Sequence, residues 1–447
     1  MRPDIEAGRL SRDTLRDNFA DVAPPLDERQ ALIEAHRCYY CYDAPCISAC
    51  PTGINIPSFI KKIATGNLKG SAHDILDANI LGGMCARACP TEVLCEDVCV
   101  RNTQETKPIA IGALQRYATD WLFDTNVQLF ERKGPSGKRV AVVGSGPAGL
   151  ACAHRLSMLG HAVTLFEARA KLGGLNEYGI AAYKTPHNFA QREVDYVLGI
   201  GGIEAKTGVR LGLDVTLKQL LVDYHAVFLG LGLEGVNALG ADGESMQGVV
   251  DAIEWIAQLR QASDLTQVPV GRHVVVVGGG NTAIDAAVQS KRLGAEEVTL
   301  VYRRGKEQMG ATGHERDFAQ ANGVRVKYWA QPRRIIGADG HVSGVEFERT
   351  QLDGKGRLLG TGETFVIEAD VVFKAIGQKL VNSFQRGEAE ILATQDGRIA
   401  VNDQRQTSVG KVWAGGDCVY GNADLTVQAV QDGKLAAHSI DQALRPR

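Results

Sequence analysis

Apolar residues in this chain come in short runs, and the spacing of those runs changes style once. Before residue 133 they recur at helical intervals. Candidate helices lie at Asn67–Leu81 and Ile109–Phe123, and in the second Ile111, Leu114, Ala118, Trp121 and Leu122 approximate the i, i+3, i+4, i+7 spacing of one buried face. A polar linker, KGPSGK at 133–138, follows. From Arg139 onward β-branched runs alternate with Ala/Leu-rich stretches, the pattern of parallel strands joined by crossover helices. Two such units open at RVAVVGSG (139–146) and HVVVVGGG (273–280). The predicted class is therefore α/β, with a helical N-terminal segment. No run approaches the ~20 apolar residues that a membrane-spanning helix needs.

Composition narrows this picture. At 447 residues the chain exceeds one ordinary core, and roughly 150 residues per domain suggests about three domains. A net charge of −3 gives no chain-wide electrostatic reason to bind nucleic acid or anionic lipid, so neither is expected as a partner. The first residues, MRPDIEAGRLSRDTLRDNFA, are polar and mixed in charge without an apolar core of a secretory signal, so a cytoplasmic location is expected. Eight of the ten cysteines fall between Cys38 and Cys99, and Cys152 and Cys418 stand alone. In a reducing compartment such a cluster points to metal or redox chemistry rather than to disulfides.

Two glycine-rich turns carry the first chemistry. Gly144-Ser145-Gly146-Pro147-Ala148-Gly149 follows a strand directly, and Glu167 closes the next strand, VTLFE. Glycines here permit a tight turn, close backbone approach to a pyrophosphate and close helix packing, while the acid accepts a ribose hydroxyl. The second turn reads Gly278-Gly279-Gly280-Asn281-Thr282-Ala283, and its following strand, VTLVYRR, ends in Arg303 and Arg304 instead of an acid. Cations there suit a 2′-phosphate and lean towards NADPH, though two arginines on a turn are equally a solvated face. Near the C-terminus, VWAGGD (412–417) ends a strand ahead of a helix starting near Leu425. That arrangement is the return of a flavin fold after an inserted nicotinamide fold, with the crossings at Gly230–Glu234 and Lys374–Gln378. The expected flavin set is the first turn and Glu167, with Gly174, Leu175, Lys184, Gly416, Asp417, Thr426 and Val427. The expected nicotinamide set is the second turn, Arg303 and Arg304, with Ala375, Ile376 and Gly377. No acid–base catalyst is expected, because the cofactors carry the reaction and the protein positions and tunes them.

Where electrons go next is partly a matter of what is missing. Disulfide reductases of this architecture keep a Cys pair beside the flavin or in the nicotinamide fold, yet LNEYGIAAYK after Gly174 has none and residues 236–373 contain no cysteine. That leaves Cys38-x2-Cys41-x4-Cys46-x3-Cys50-Pro and Cys85-x3-Cys89-Pro-x4-Cys95-x3-Cys99. Thiolates grouped this way, with Pro after two of them, suit 4Fe-4S clusters. Zinc is the competing reading, and would make the chain a zinc-stapled nucleotide-binding regulatory protein without turnover. Zinc cannot carry electrons, and the flavoprotein folds favour iron–sulfur.

These motifs, together with RCYYCYDAPCISACP (37–51), GMCARACPTEVLC (83–95), PIAIGALQ (108–115) and TVQAVQDGK (426–434), resemble the dihydropyrimidine dehydrogenase family over nearly the whole chain. Glutamate synthase small subunits are expected as a more distant likeness, since they keep a shorter gap where this chain has Cys89-Pro-x4-Cys95. The resemblance implies that Cys38, Cys41, Cys46 and Cys99 hold one cluster, and that Cys50, Cys89, Cys95 and Gln115 hold the other, with Cys85 spare. It implies three domains: a helical iron–sulfur domain at 1–133, a discontinuous FAD domain at 134–234 and 376–447, and an NAD(P) domain at 235–375. It further implies an electron-input subunit that takes hydride from NADH or NADPH onto FAD and passes electrons through two 4Fe-4S clusters. The partner would be an FMN-bearing iron–sulfur catalytic subunit that reduces uracil or thymine. Family likeness leans to NADH where the two arginines lean to NADPH. Service to glutamate synthase, or as a ferredoxin:NAD(P) oxidoreductase, is the alternative.

Overall fold

The computed structural model describes residues 5–6, 9–381 and 392–445; parts of the expected N-terminal segment and of the C-terminal flavin half lie outside these. The chain divides into two units. One comprises Ala23–Glu177, His187–Glu234 and Leu380–Arg447, and the other Met1–Val22, Tyr178–Pro186 and Gly235–Lys379.

In the first of these, helices precede a parallel sheet. The Ile56–Ala64 helix buries Ile56, Phe59, Ile60 and Ile63 on one face, each contributing roughly 1.5–3 kcal/mol by leaving water. Its neighbours are Leu68–Ala78, capped by the Asn67 side chain on the Gly70 N–H, and Ile111–Thr125. The expected helices at 67–81 and 109–123 are thus present with slightly different ends. The sheet has five parallel strands in the order Val412–Ala414, Ala226–Leu229, Arg139–Val143, Ala162–Glu167, Ile203–Thr207. Its central strands are buried nearly throughout: one face packs on the Pro147–Met158 and Thr426–Leu444 helices, and the other on Leu217 and Leu220 of a short helix with Ile399, Val409 and Val419. Trp413 pairs with Phe228, so the C-terminal segment returns to the sheet that Arg139–Val143 began. A continuous apolar core joins Ile60, Ile75 and Leu114 of the cysteine-bearing helices to Leu150, Leu156 and Ile440 beside the sheet. That shared core is why the cysteine segment and the flavin halves form one compact unit.

The second unit has its own five-stranded parallel sheet, ordered Arg325–Tyr328, Glu297–Tyr302, His273–Gly278, Val371–Ala375, Val249–Asp251. The two crossings meet in a short antiparallel ladder in which Val236 pairs with Gln378. Three features were not read from the sequence. An antiparallel sheet of Ala330–Ala338, His341–Leu352 and Leu358–Glu368 is inserted before the last parallel strand; the alternation around Val345 and Phe347, both buried, is its signal. The N-terminal segment belongs to this unit instead of to the cysteine helices, because Leu15 and Phe19 enter its core beside Trp255 and Ile256 and Arg12 pairs with Asp264 at 2.5 Å. The segment Tyr178–Pro186 does likewise, burying Ala181 and Tyr183 in the same core. Among the described residues no helix is long and apolar enough to cross a membrane.

Candidate functional site

Cysteine chemistry is organised in two groups. Cys38, Cys41, Cys46 and Cys99 line one cavity, walled by Ile56, Ile60, Ile109 and Ile111. The backbone N–H groups of Tyr40 and Ile109 donate to the sulfurs of Cys38 and Cys99, at 3.4 and 3.5 Å. Burial, and then the neighbouring thiols Cys38, Cys99 and Cys41, push the Cys46 thiol up to about 12. Four thiols ringed by aliphatic side chains, two of them offered N–H donors, fit a polynuclear cation that takes them as thiolates. Among the described residues no three His, Cys, Asp or Glu side chains converge on a point that could hold a single ion.

The second group is drier. Burial raises the thiols of Cys89 and Cys95 strongly; Cys89 is next raised by Cys85 and Cys50, and Cys95 by Glu96, Cys89 and Cys50. Cys50 carries the Thr52 hydroxyl 3.3 Å from its sulfur. Gln115 is buried, with its Nε2 donating to the Gly82 carbonyl at 2.7 Å, which leaves its Oε1 as the atom able to ligate. Cys85 is also buried; burial raises it, and Glu193 and Cys50 raise it further.

The turn at Gly144–Gly149 is built so that only glycine serves at its ends. A Cβ on Gly144 (φ +92°) would lie 2.2 Å from the Gly230 carbonyl oxygen, and one on Gly149 would lie 1.8 Å from that of Gly144. Glu167 braces the turn: one carboxylate oxygen accepts from the Ser145 N–H at 3.0 Å and hydroxyl at 2.5 Å, and the other from the Arg169 N–H at 2.8 Å. Gly174 sits against Gly146, where a Cβ would come within 2.6 Å of the Gly146 Cα. Pro147 opens the Pro147–Met158 helix, whose N-terminus stabilises phosphate charge. Across from it, a Cβ on Gly416 would be 3.2 Å from that of Ala148. Thr426 donates to Asn176, the neighbour of Leu175, at 3.0 Å, and Val427 is buried beside it. Burial, with repulsion from Asp424, pushes the Asp417 carboxyl up to about 6. The expected flavin set is therefore gathered in one place, with one exception: Lys184 is held in the other unit, its Nζ 2.8 Å from Asp285 and 2.6 Å from Glu315. Two carboxylates on the helices after the second turn claim that cation.

The second turn repeats the first with looser fittings. A Cβ on Gly278 would meet the Ala375 carbonyl at 2.2 Å, the counterpart of Gly144 against Gly230. Gly279 lies under the Tyr302 ring, Gly280 faces open space, and Asn281 is exposed with Thr282 half-buried and Ala283 buried. Arg303 is exposed and Arg304 half-buried on the strand end next to the turn. Ile376 accepts from the Asn237 side chain at 3.3 Å, and Gly377 from its N–H at 3.2 Å.

Three supporting residues escaped the sequence reading. Asp432, fully buried on the Thr426–Leu444 helix, accepts from the Gly416 N–H at 2.9 Å and pairs with Arg405 at 2.8 Å, fixing the Gly415–Asp417 turn. Gly433 next to it lets the helix approach Ala148, whose oxygen a Cβ would meet at 2.1 Å. Glu193 accepts from the N–H groups of Gly83 and Met84, and burial pushes its carboxyl up to about 8. An acid on an otherwise apolar helix face was the available signal for Asp432; Glu193 had none.

The family model for dihydropyrimidine dehydrogenase domain II, 4Fe-4S cluster, matches residues 15–127, and that for pyridine nucleotide-disulphide oxidoreductase matches 138–433. The chain is 35% identical to the glutamate synthase [NADPH] small chain of Escherichia coli, over 94% of this chain and 93% of that protein. It is 33% identical to the NAD-dependent dihydropyrimidine dehydrogenase subunit PreT of Salmonella typhimurium, over 96% and 98%. These identities differ too little to rank the two, so glutamate synthase is not the more distant likeness that was expected. In fold alone the chain is similar to Mycobacterium tuberculosis FprA in complex with NADPH (TM-score 0.57, 21% identity, 69% of this chain and 84% of that one). Thioredoxin reductase of T. acidophilum is comparable (TM-score 0.54, 24% identity, 68% and 99%). The two glycine turns, the returning strand and the grouped thiols are thus those of a chain that belongs to the pyridine nucleotide-disulphide oxidoreductase family, an NAD(P)H-dependent FAD and iron–sulfur oxidoreductase.

Proposed function

We propose that this chain is the electron-input subunit of a two-subunit dihydropyrimidine dehydrogenase. The observation that carries the reading is the pairing of a flavin fold with two thiol groups in one unit while the remaining cysteines are unfit for a disulfide relay. Cys152 is fully buried in an apolar helix, and Cys418 is fully buried with its thiol on the carbonyls of Leu229 and Gly415. Electrons therefore leave through iron. The Cys89-Pro-x4-Cys95 spacing and the likeness to PreT over nearly its whole length support the pyrimidine assignment.

Cys38, Cys41, Cys46 and Cys99 hold one cluster; Cys50, Cys89, Cys95 and Gln115 hold the other. When bound, the nicotinamide, FAD and the clusters supply hydride and single-electron transfer. The chain's own part is to seat phosphates on the Pro147–Met158 and Asn281–Arg292 helix N-termini, to fix a ribose with Glu167, and to keep water from the buried thiol group. An FMN-bearing partner subunit reduces the pyrimidine.

A second reading, small subunit of a glutamate synthase, is favoured by the 35% identity to that protein. Co-expression with each candidate partner, followed by NADH and NADPH oxidation with uracil or with 2-oxoglutarate plus glutamine, separates them. Turnover with uracil is expected; turnover only with the second pair gives the chain to glutamate synthase. Anaerobically purified protein is expected to show flavin bands and a broad iron–sulfur shoulder, whose absence sinks both readings.

A further inference from the structure

The segment TVQAVQDGK ends in a lysine that the flavin site does not use. Lys434 points from the Thr426–Leu444 helix towards the cysteine-bearing helices, its Nζ donating to the carbonyls of Thr52 at 3.0 Å and of Ala78 at 2.8 Å. Ala78 ends the Leu68–Ala78 helix, and Arg155, from the Pro147–Met158 helix, donates to the adjacent Asp77 carbonyl at 2.5 Å. Two cations on flavin helices thus grip one helix end. Capping explains Arg155, but Lys434 also holds Thr52, whose buried hydroxyl rests on the Cys50 sulfur. A cysteine that ligates iron has lost its proton, so in the loaded protein the hydroxyl must be the donor.

We propose that Thr52 and Lys434 are positioning residues that raise the reduction potential of the cluster held by Cys50. This rests on the ligand reading above. One-electron reduction, with the flavin taking a hydride's two electrons from NAD(P)H and releasing them singly, adds one negative charge to the cluster that these thiolates ligate. A hydroxyl donated to one of those sulfurs, and an ammonium fixed to the same residue's carbonyl, both favour the reduced state. Lys434 therefore aims the hydroxyl as well as supplying charge.

The test is an EPR-monitored redox titration of the anaerobically purified full chain, with iron and acid-labile sulfide counted in each variant. Thr52→Val is expected to lower the reduction equilibrium constant of one cluster about tenfold, about 59 mV for a one-electron couple, and to leave the other in place. Lys434→Met is expected to do the same, while Thr52→Ser and Lys434→Arg restore most of the wild-type midpoint. Where Thr52→Val fails to load iron, Thr52→Ala takes its place. Unchanged midpoints in the Thr52 variant and in Lys434→Met, with full iron, overturn the proposal. Cys50→Ser reports on the ligand reading separately: it is expected to lose about half of the iron, and retention of all of it refutes the ligand set rather than the tuning.

Discussion

The two glycine turns share one blueprint and differ in how firmly it is executed. In both, a glycine after the first strand leaves room for the carbonyl of a neighbouring strand, Gly230 in one case and Ala375 in the other, at the same 2.2 Å from a would-be Cβ. Past that point they part. The first turn has Glu167 wired to Ser145 and Arg169, Gly149 jammed against Gly144, and Gly174 pressed on Gly146. The second has an alanine in place of the last glycine, an open Gly280 and an exposed Asn281. A turn held by buried hydrogen bonds is preorganised and suits a cofactor that stays; an open turn suits one that must leave after each turnover.

The largest effect is expected at Gly149. Gly149→Ala places a Cβ where the Gly144 carbonyl stands, and protein purified from this variant is expected to lack flavin absorbance. Glu167→Gln is milder: an amide keeps one acceptor oxygen for three donors, the Ser145 N–H and hydroxyl and the Arg169 N–H, and should cost about 1.5–3 kcal/mol, a roughly tenfold to hundredfold loss of FAD affinity by fluorescence titration of apoprotein. Asp417 tests the return to the flavin fold. Its folded pKa, about 6, lies above the ordinary 3.8, so its contribution to stability is present below pH 4 and is lost as pH rises to 6. In flavin-free protein, Asp417→Asn is expected to flatten the dependence of the melting temperature over that window. In the second turn, Arg303→Ala with Arg304→Ala should raise the KM for NADPH about tenfold, near 1.4 kcal/mol, and leave that for NADH within about twofold; equal changes would make the arginines a solvated face. Ala283→Gly, the mirror of the first variant, should cost no more than about 1 kcal/mol of stability and leave nicotinamide binding intact.

Strands, turns and returning segment were legible because their constraints are local: a run of β-branched residues, a glycine where a Cβ clashes, an acid at a strand end. The proposed ligand sets come from a different source, the likeness to a family, since by count alone Cys85 and not Gln115 is the eighth ligand. What stayed hidden depends on pairs far apart in sequence. Lys184 follows the flavin's second glycine pair, yet its charge is claimed by Asp285 and Glu315 more than a hundred residues later. Leu15 and Phe19 sit in a polar stretch and declare themselves only through the core they enter. Asp432 is one acid on a helix until Gly416 and Arg405 are folded onto it.

The path of the chain has a consequence for how the molecule is made. It passes from one unit to the other five times, at residues 22–23, 177–178, 186–187, 234–235 and 379–380. During synthesis the first helix, Arg12–Asn18, emerges long before the core that receives Leu15 and Phe19 exists, and that core cannot close until residue 379 has left the ribosome. Loops of this length are slow to close. A recombinant piece spanning 235–375 would carry a bare groove where Leu15, Phe19 and Tyr183 belong, so neither nucleotide-binding half is a cassette that can be cut out or transplanted at its apparent sequence boundaries.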